Sequence, residues 1–145
     1  MRAWSPCSNA DALDFFLPHV PEHLRTIGEE PRLHCKQWEY AQLLEVRRRL
    51  APDAKRLIGL GCGCEKTIPH LGAGADEITV TDLYERAGAW DVAQVDPHQA
   101  FPEMDNLRVH SMDMRRIDLP ERSADFVWSL CAVEHVGALR DVIDT

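Results

Sequence analysis

Four short apolar runs between residues 56 and 130 are the feature that most constrains the fold of this chain. They lie at residues 56–60, 78–81, 107–110 and 125–130, and connections of crossover length separate them. Parallel strands need such long connections, whereas antiparallel neighbours can be joined by a two-residue turn. The pattern therefore predicts an α/β protein in which helices cover both faces of a parallel sheet.

The handedness of the connections sets the order of the four predicted strands. Right-handed crossovers place the first strand centrally, the second and third on one side, and the fourth on the other. The predicted sheet is therefore doubly wound, with strand order 3-2-1-4. In such sheets the ligand binds outside the carboxyl ends of the strands, where the chain reverses direction between strands one and four. The residues that follow each strand are thus the candidate functional residues.

The N-terminal part of the chain has a different pattern. Residues 1–33 contain four of the nine prolines and show little periodicity, which predicts an arm or a short cap. Residues 37–50 carry apolar side chains at helical spacing, and a helix that covers the sheet is the simple interpretation. We therefore predict an arm or cap at residues 1–33 and one ligand-binding domain at residues 34–145.

Composition narrows the range of partners. Sixteen basic and twenty-four acidic residues give a formal charge of −8, whereas nucleic-acid binding depends on clustered lysine and arginine. No apolar stretch reaches the roughly 18 residues of a membrane span, and no signal pattern is present, so a cytoplasmic protein without nucleic-acid or membrane partners is expected. The five cysteines lack the spacing of a disulfide framework. Cys62 and Cys64 supply only two of four tetrahedral ligands, so no metal site is expected.

Three glycines alternate at the end of the first predicted strand: Gly59, Gly61 and Gly63. Bare backbone permits positive φ in a tight turn and lets a ligand approach the main chain closely. Glycine turns are common in loops, so this signal gains meaning only from the other strand ends.

The second and third predicted strands end in carboxylates. Asp82 follows strand two about 20 residues after the glycine turn, where an acidic residue can accept from two ribose hydroxyls. Asp113 and Met114 follow strand three, where a carboxylate can accept from the adenine amine and a thioether can pack on the ring. Each aspartate alone is equally well explained as a turn or cap residue. Their coincidence at successive strand ends favours one adenosine-containing ligand.

Glu65 distinguishes two classes of cofactor. A dinucleotide places its pyrophosphate against the glycine turn, where a carboxylate about 4 Å away costs roughly 4 kcal/mol at an effective dielectric constant of about 20. Lys66 also stands where the dinucleotide pattern needs another glycine. S-adenosylmethionine has no phosphate and carries an ammonium and a sulfonium group. Glu65 therefore favours this cofactor and disfavours a nicotinamide dehydrogenase.

Three stretches, LIGLGCGCE, VTDLYE and MDMRRIDLPERSADFVWSLCAVEHV, together resemble the successive motifs of class I S-adenosylmethionine-dependent methyltransferases of the small-molecule type. The resemblance implies a Rossmann-like fold and methyl transfer from S-adenosylmethionine to a small-molecule or saccharide-like acceptor. The cofactor-binding residues that we predict lie at the four strand ends: Gly59, Gly61, Gly63, Glu65, Asp82, Leu83, Asp113, Met114 and Ser129.

The resemblance also assigns roles to these residues. Gly61 and Gly63 would form the cofactor loop, Asp82 would hold the ribose, and Asp113 with its neighbour would bind the adenine. The family usually has an acidic residue where Gly59 stands and a glycine where Glu65 stands. Glu65 is therefore a candidate to take over part of the role of the missing carboxylate.

The sequence gives fewer signals for the part of the site that would bind the methyl acceptor. His135, just past strand four, is the candidate catalytic base, which is needed only if the acceptor is protonated at the working pH; a structural histidine at a helix start is the alternative. Strand four would leave an apolar sheet edge, which soluble proteins usually avoid. We therefore expect the N-terminal part of a domain truncated after strand four, or association through that edge. A cofactor-binding module without its own catalysis is the alternative function.

Overall fold

A computed structural model describes residues 4–5, 10–84 and 95–137 of the chain. The chain divides into two compact units, Met1–Pro52 and Asp53–Thr145, which we call the N-terminal and the C-terminal unit. The predicted boundary between residues 33 and 34 lies inside the N-terminal unit. No helix in the described ranges is both long and apolar enough to cross a membrane.

The N-terminal unit is built on two helices, α1 (His19–Thr26) and α2 (Cys35–Leu50). A short 3-10 helix, Ala12–Phe16, precedes them. Asp11 caps its start, because the Asp11 side chain accepts from the backbone N–H of Leu13. The helix predicted at residues 37–50 begins two residues earlier, because the side chain of His34 accepts from the backbone of Lys36 and caps it. Apolar side chains of both helices form the core of the unit: Val20, Leu24, Ala41, Leu43 and Leu44.

A buried carboxylate, that of Glu45, joins the two helices. Its side chain is fully shielded from solvent, lies 2.8 Å from Nε2 of His23 in α1, and accepts hydrogen bonds from Arg48 and Arg49. Burial opposes its ionisation, but the hydrogen bonds from Arg48, His23 and Arg49 outweigh burial and hold the pKa of Glu45 well below its usual range. The carboxylate is therefore ionised and fixed at neutral pH.

The C-terminal unit contains a parallel sheet of four strands in the order β3-β2-β1-β4. The strands are β1 (Arg56–Leu60), β2 (Glu77–Asp82), β3 (Leu107–Ser111) and β4 (Phe126–Trp128). Two short helices, α3 (Ile68–Gly72) and α4 (Pro97–Ala100), lie in the connections that follow β1 and β2. The predicted doubly wound order is confirmed, and its central strands bury Leu57, Ile58, Ile78 and Val80.

The fourth strand is shorter than the predicted run at residues 125–130. Asp125 lies just before it, and its carboxylate accepts from the backbone N–H groups of Lys55 and Arg56 and from the Arg56 guanidinium. Asp125 thus connects the amino ends of β1 and β4, although it is not itself part of a strand. Beyond Trp128 the chain leaves the sheet, and Cys131 adopts a positive φ of 50°, which is uncommon for a residue with a side chain and does not occur in a regular strand.

Candidate functional site

The glycine turn after β1 lies at the centre of the candidate site. Gly61 and Gly63 have positive φ values of 62° and 50°, which residues with a Cβ rarely adopt. The backbone N–H of Cys62, between them, donates to the carbonyl of Thr81 in β2 at 3.1 Å. The turn is therefore held against the carboxyl end of the neighbouring strand.

Asp82, at the end of β2, fixes the same turn with its side chain. Oδ2 accepts from the Gly63 N–H at 2.9 Å, and Oδ1 accepts from the Leu83 N–H at 2.7 Å. Each carboxylate oxygen has a second lone pair. The carboxylate can therefore still accept a hydrogen bond from a ligand at each oxygen while its own orientation is fixed.

Tyr84 reinforces this arrangement, although we did not predict it as a site residue. Its hydroxyl donates to the Gly63 carbonyl at 3.1 Å. Burial raises the pKa of Tyr84, and the thiol and carboxylate groups around it add to the effect, so the phenol remains a neutral donor. Its position two residues after Asp82 was the only sequence signal for this contact.

Residues that follow β3 and β4 pack against Gly61, the first of the two glycines in the turn. A Cβ on Gly61 would lie 2.7 Å from the Cβ of Ala132 and 3.4 Å from Sδ of Met114. Met114 is itself buried. The structure thus brings the predicted residues Gly61 and Met114 together, with the thioether against the turn. A Cβ on Gly63 would meet only Asp82 at 3.6 Å among the described residues, so its main chain is the more open.

Gly59 faces protein atoms in the structure. A Cβ there would lie 2.5 Å from Cζ2 of Trp128 and 2.6 Å from Sγ of Cys62, closer than carbon atoms approach. The register explains this, because Gly59 pairs with Trp128 across β1 and β4. The indole Nε1 of Trp128 also lies 3.4 Å from Oε2 of Glu65, in a long hydrogen bond. Trp128 was not among the predicted site residues.

The Asp113 carboxylate, which we predicted to bind adenine, is held by an arginine. Nε of Arg115 lies 2.9 and 3.1 Å from its two oxygens, and Nη2 lies 2.5 Å from Oδ2. The same guanidinium reaches the Val136 carbonyl at 3.5 Å. Arg115 therefore links the loop after β3 to the segment after β4, and a ligand would share Asp113 with this ion pair.

Ser129 and His135 follow β4 in different environments. The Ser129 hydroxyl is buried and has no hydrogen-bond partner among the described residues, and a buried hydroxyl requires a partner such as a water or a ligand atom. His135 ends the short 3-10 helix Val133–His135 and is exposed, with Nε2 3.9 Å from Oε1 of Glu134.

The Cys62 thiol provides a direct test of this packing. Burial, and then the negative charge of Glu65, raise the pKa of Cys62 to about 12, whereas Cys35 and Cys131 are exposed. In native protein at pH 8, a thiol reagent should modify the two exposed cysteines about a thousandfold faster than Cys62, because the thiolate is the reactive form. Mass spectrometry of labelled peptides measures this ratio. Equal labelling in the native state would contradict the packing, and labelling in denaturant gives the intrinsic rates.

The parallel sheet in the order 3-2-1-4, with a glycine turn after its central strand, defines a Rossmann-like α/β fold. The family model described as Methyltransferase domain matches residues 58–145. This match covers more than half of the chain, and the chain belongs to the methyltransferase domain family. The resemblance predicted from the three motifs is thereby confirmed.

A solved structure supports the same assignment. The chain is similar to SAM-bound CalS10, an amino pentose methyltransferase from Micromonospora echinaspora involved in calicheamicin biosynthesis, with 25% sequence identity and a TM-score of 0.55. The similarity covers 73% of this chain and 41% of that enzyme, so the chain spans less than half the length of its relative. No curated protein matches the chain in sequence.

Proposed function

We propose that this chain forms the cofactor-binding part of an S-adenosylmethionine-dependent methyltransferase that acts on a small-molecule or saccharide-like acceptor. The observation that carries the proposal is the hydrogen bond between the Asp82 carboxylate and the Gly63 N–H. It joins an acidic strand end to the glycine turn at Gly63, the more open of its two glycines, and an acidic residue at this place binds the ribose of a nucleoside ligand in sheets of this type. The family match and the SAM-bound relative support it.

The residues at the strand ends suit this cofactor chemically. Asp82 has acceptor capacity left for ribose hydroxyls, and the buried Ser129 hydroxyl lacks a partner among the described residues. Glu65 places a second carboxylate near the turn, which suits a ligand with positive charges and no phosphate. A pyrophosphate at the turn would be repelled by Glu65.

The proposed reaction requires the chain mainly to bind and orient the reactants. When bound, S-adenosylmethionine supplies an electrophilic methyl group on a sulfonium, which is a good leaving group. The chain's own residues bind and orient: Asp82 would hold the ribose, and the rigid turn would fix the reacting end of the ligand. Orientation of this kind can contribute about 7 to 11 kcal/mol to lowering a barrier.

His135 is the proposed proton acceptor for an acceptor group that is protonated at the working pH. The proposal is supported by its exposure and its place after β4, on the carboxyl side of the sheet. A base contributes about 10² to 10⁴-fold to such a reaction. Unchanged turnover of His135→Asn on a protonated acceptor would remove this role.

Calorimetric titration with S-adenosylmethionine and S-adenosylhomocysteine tests the proposed function. We expect both to bind the wild-type chain, and we expect Asp82→Asn to lose about tenfold to a hundredfold in affinity, because an amide NH2 in place of one carboxylate oxygen leaves the Gly63 N–H or a ribose hydroxyl without an acceptor. Asp76→Asn is the matched control, since Asp76 is exposed just before the amino end of β2, at the opposite edge of the sheet.

Two other results would point to other functions. Binding of NADH without binding of S-adenosylmethionine would replace the proposal with a dinucleotide-dependent enzyme. Cofactor binding without methyl transfer to any of a panel of amino sugars and other small molecules would leave a binding module without catalysis of its own.

A further inference from the structure

We propose that Arg115 sets the base specificity of the site, because it holds the Asp113 carboxylate so that this group does not accept from the 6-amino group of a purine. This inference rests on the proposed function and concerns how the base of the ligand is recognised. It makes Arg115 a positioning residue, which acts on the ligand through Asp113.

The first step is the hydrogen-bonding capacity of the Asp113 carboxylate. Oδ1 lies 3.0 Å from the backbone nitrogen of Arg115 and 2.9 Å from its Nε, and Oδ2 lies 3.1 Å from Nε and 2.5 Å from Nη2. A carboxylate accepts about four hydrogen bonds, two at each oxygen. Contacts with one arginine therefore occupy both oxygens, and a purine amine could bind only where one of these contacts is given up.

The second step is the strength of the two competing interactions. Nε and Nη2 of Arg115 meet the two carboxylate oxygens side by side, the forked geometry in which an arginine–carboxylate pair is strong. A purine amine is neutral and offers no such fork. Only 29% of the Asp113 side chain is exposed, so solvent screens this ion pair less than a fully exposed one. The guanidinium is therefore the stronger competitor for the carboxylate.

The third step is the second attachment of the guanidinium. Nη1 of Arg115 lies 3.5 Å from the carbonyl oxygen of Val136, in a long hydrogen bond, and Val136 is buried. Arg115 thus has partners on two sides, in the loop after β3 and in the segment after β4. Moving its side chain away from Asp113 to admit a ligand would break contacts on both sides.

Packing can hold a base without the carboxylate. Met114, next to Asp113 in the chain, is buried, and its Sδ would lie 3.4 Å from a Cβ on Gly61. A thioether packs favourably against an aromatic ring through its polarisable sulfur, whatever group the ring carries at position 6. The affinity for the base would then come from apolar contact, which does not distinguish an amino group from a hydrogen atom.

Two ligands that differ at one position test the inference. S-adenosylhomocysteine carries the 6-amino group, and its purine analogue carries a hydrogen atom there. The ratio of their affinities, measured by calorimetry, reports how strongly the amine is bound. Arg115→Ala removes three of the four contacts to the carboxylate, so the ratio should rise about tenfold in favour of S-adenosylhomocysteine. Asp113→Ala should keep the wild-type ratio within about twofold.

Two further variants identify the route of the effect. In the double variant Asp113→Ala/Arg115→Ala the ratio should return to the wild-type value, since two changes that act through one contact are not additive. Arg116→Ala is the matched control and should leave the ratio unchanged. It removes the same charge from an exposed side chain, and its backbone N–H, which alanine keeps, donates to the Asp113 carbonyl at 2.8 Å. A purely structural effect would change both affinities equally and leave the ratio as it was.

The outcomes separate this inference from the proposed function. If wild-type protein binds neither ligand, the proposed function fails and this inference fails with it. If it binds both, a fall in the ratio beyond about twofold in Asp113→Ala would show that the carboxylate already accepts from the amine, and would overturn the inference. A ratio in Arg115→Ala that is unchanged, or changed equally in Arg116→Ala, would overturn it as well. Arg115 is exposed, so this central test does not depend on the Asp113 variant folding.

Discussion

Replacing Gly59 with alanine should lower the free energy of unfolding of the C-terminal unit by about 2 to 3 kcal/mol, the upper part of the range for overpacked cores. The new Cβ would lie 2.5 Å from the Trp128 ring and 2.6 Å from the Cys62 sulfur. A buried indole cannot bend away, so the strands must separate or the ring must leave its place. Hydrogen exchange of the β1 and β4 amides measures the loss in this unit alone.

Two further variants test the role of the Trp128 ring in this loss. In a Trp128→Leu background, Gly59→Ala should lose at least half of its destabilising effect, because the smaller, flexible side chain can move. Gly72→Ala is the matched control. Its Cβ would lie 2.9 Å from the terminal carbon of Met104, which can rotate away, and 3.1 Å from Cγ2 of the buried Ile78, so we expect a smaller loss of about 1 kcal/mol. Equal losses for Gly59→Ala and Gly72→Ala would contradict this explanation.

Replacing Glu45 with glutamine should destabilise the N-terminal unit by about 2 to 3 kcal/mol at pH 7. Breaking a buried ion pair costs about 3 to 5 kcal/mol, and the figure is reduced here because 58% of the Arg48 side chain and 45% of the Arg49 side chain are exposed to solvent. The loss arises because Arg48, Arg49 and His23 keep their hydrogen-bond donors, whereas the negative charge of Glu45, which all three contact, is removed. Hydrogen exchange of the α2 amides measures it.

The effect of Glu45→Gln should depend on pH in one direction. Because the folded state holds the pKa of Glu45 below its unfolded value, the stabilisation is complete above about pH 5 and is lost as the pH falls through the unfolded pKa of about 4.3 and below. The difference between wild type and variant should therefore shrink in acid. Glu22→Gln, an exposed residue of α1, is the control and should change stability by less than about 0.5 kcal/mol. A difference that is constant down to pH 2 would exclude the ionised Glu45 as the stabilising group.

The sheet was predictable because its signal is local. Apolar runs marked the positions of all four strands, and the first coincided with β1. The predicted ends of the other three strands differ from the observed ends, because the last residue of a strand depends on pairing with a neighbouring strand. Asp82, for example, extends β2 because it pairs with Ser111 of β3. The predicted fourth run exceeded β4, because Asp125 uses its carboxylate to bind β1 and residues after Trp128 leave the ladder.

The candidate site was only partly predictable. Asp82 and the glycine turn lie together as the parallel order required. The partners of the other predicted residues came from distant parts of the chain: Arg115 on Asp113, Ala132 on Gly61 and Trp128 on Gly59. A glycine pattern indicates that space is needed beside the backbone. It does not indicate whether a ligand or a side chain uses that space.

The amino-acid sequence by itself determined the strands, their parallel order and the edge of the sheet at which the candidate residues gather, because burial periodicity and crossover handedness act along the chain. Only the tertiary structure decided which atoms face one another at that edge. The register of β4 against β1 placed an indole over Gly59 and its N–H beside Glu65. Side-chain packing between strands that are distant in the sequence depends on shapes in three dimensions, which no local pattern encodes.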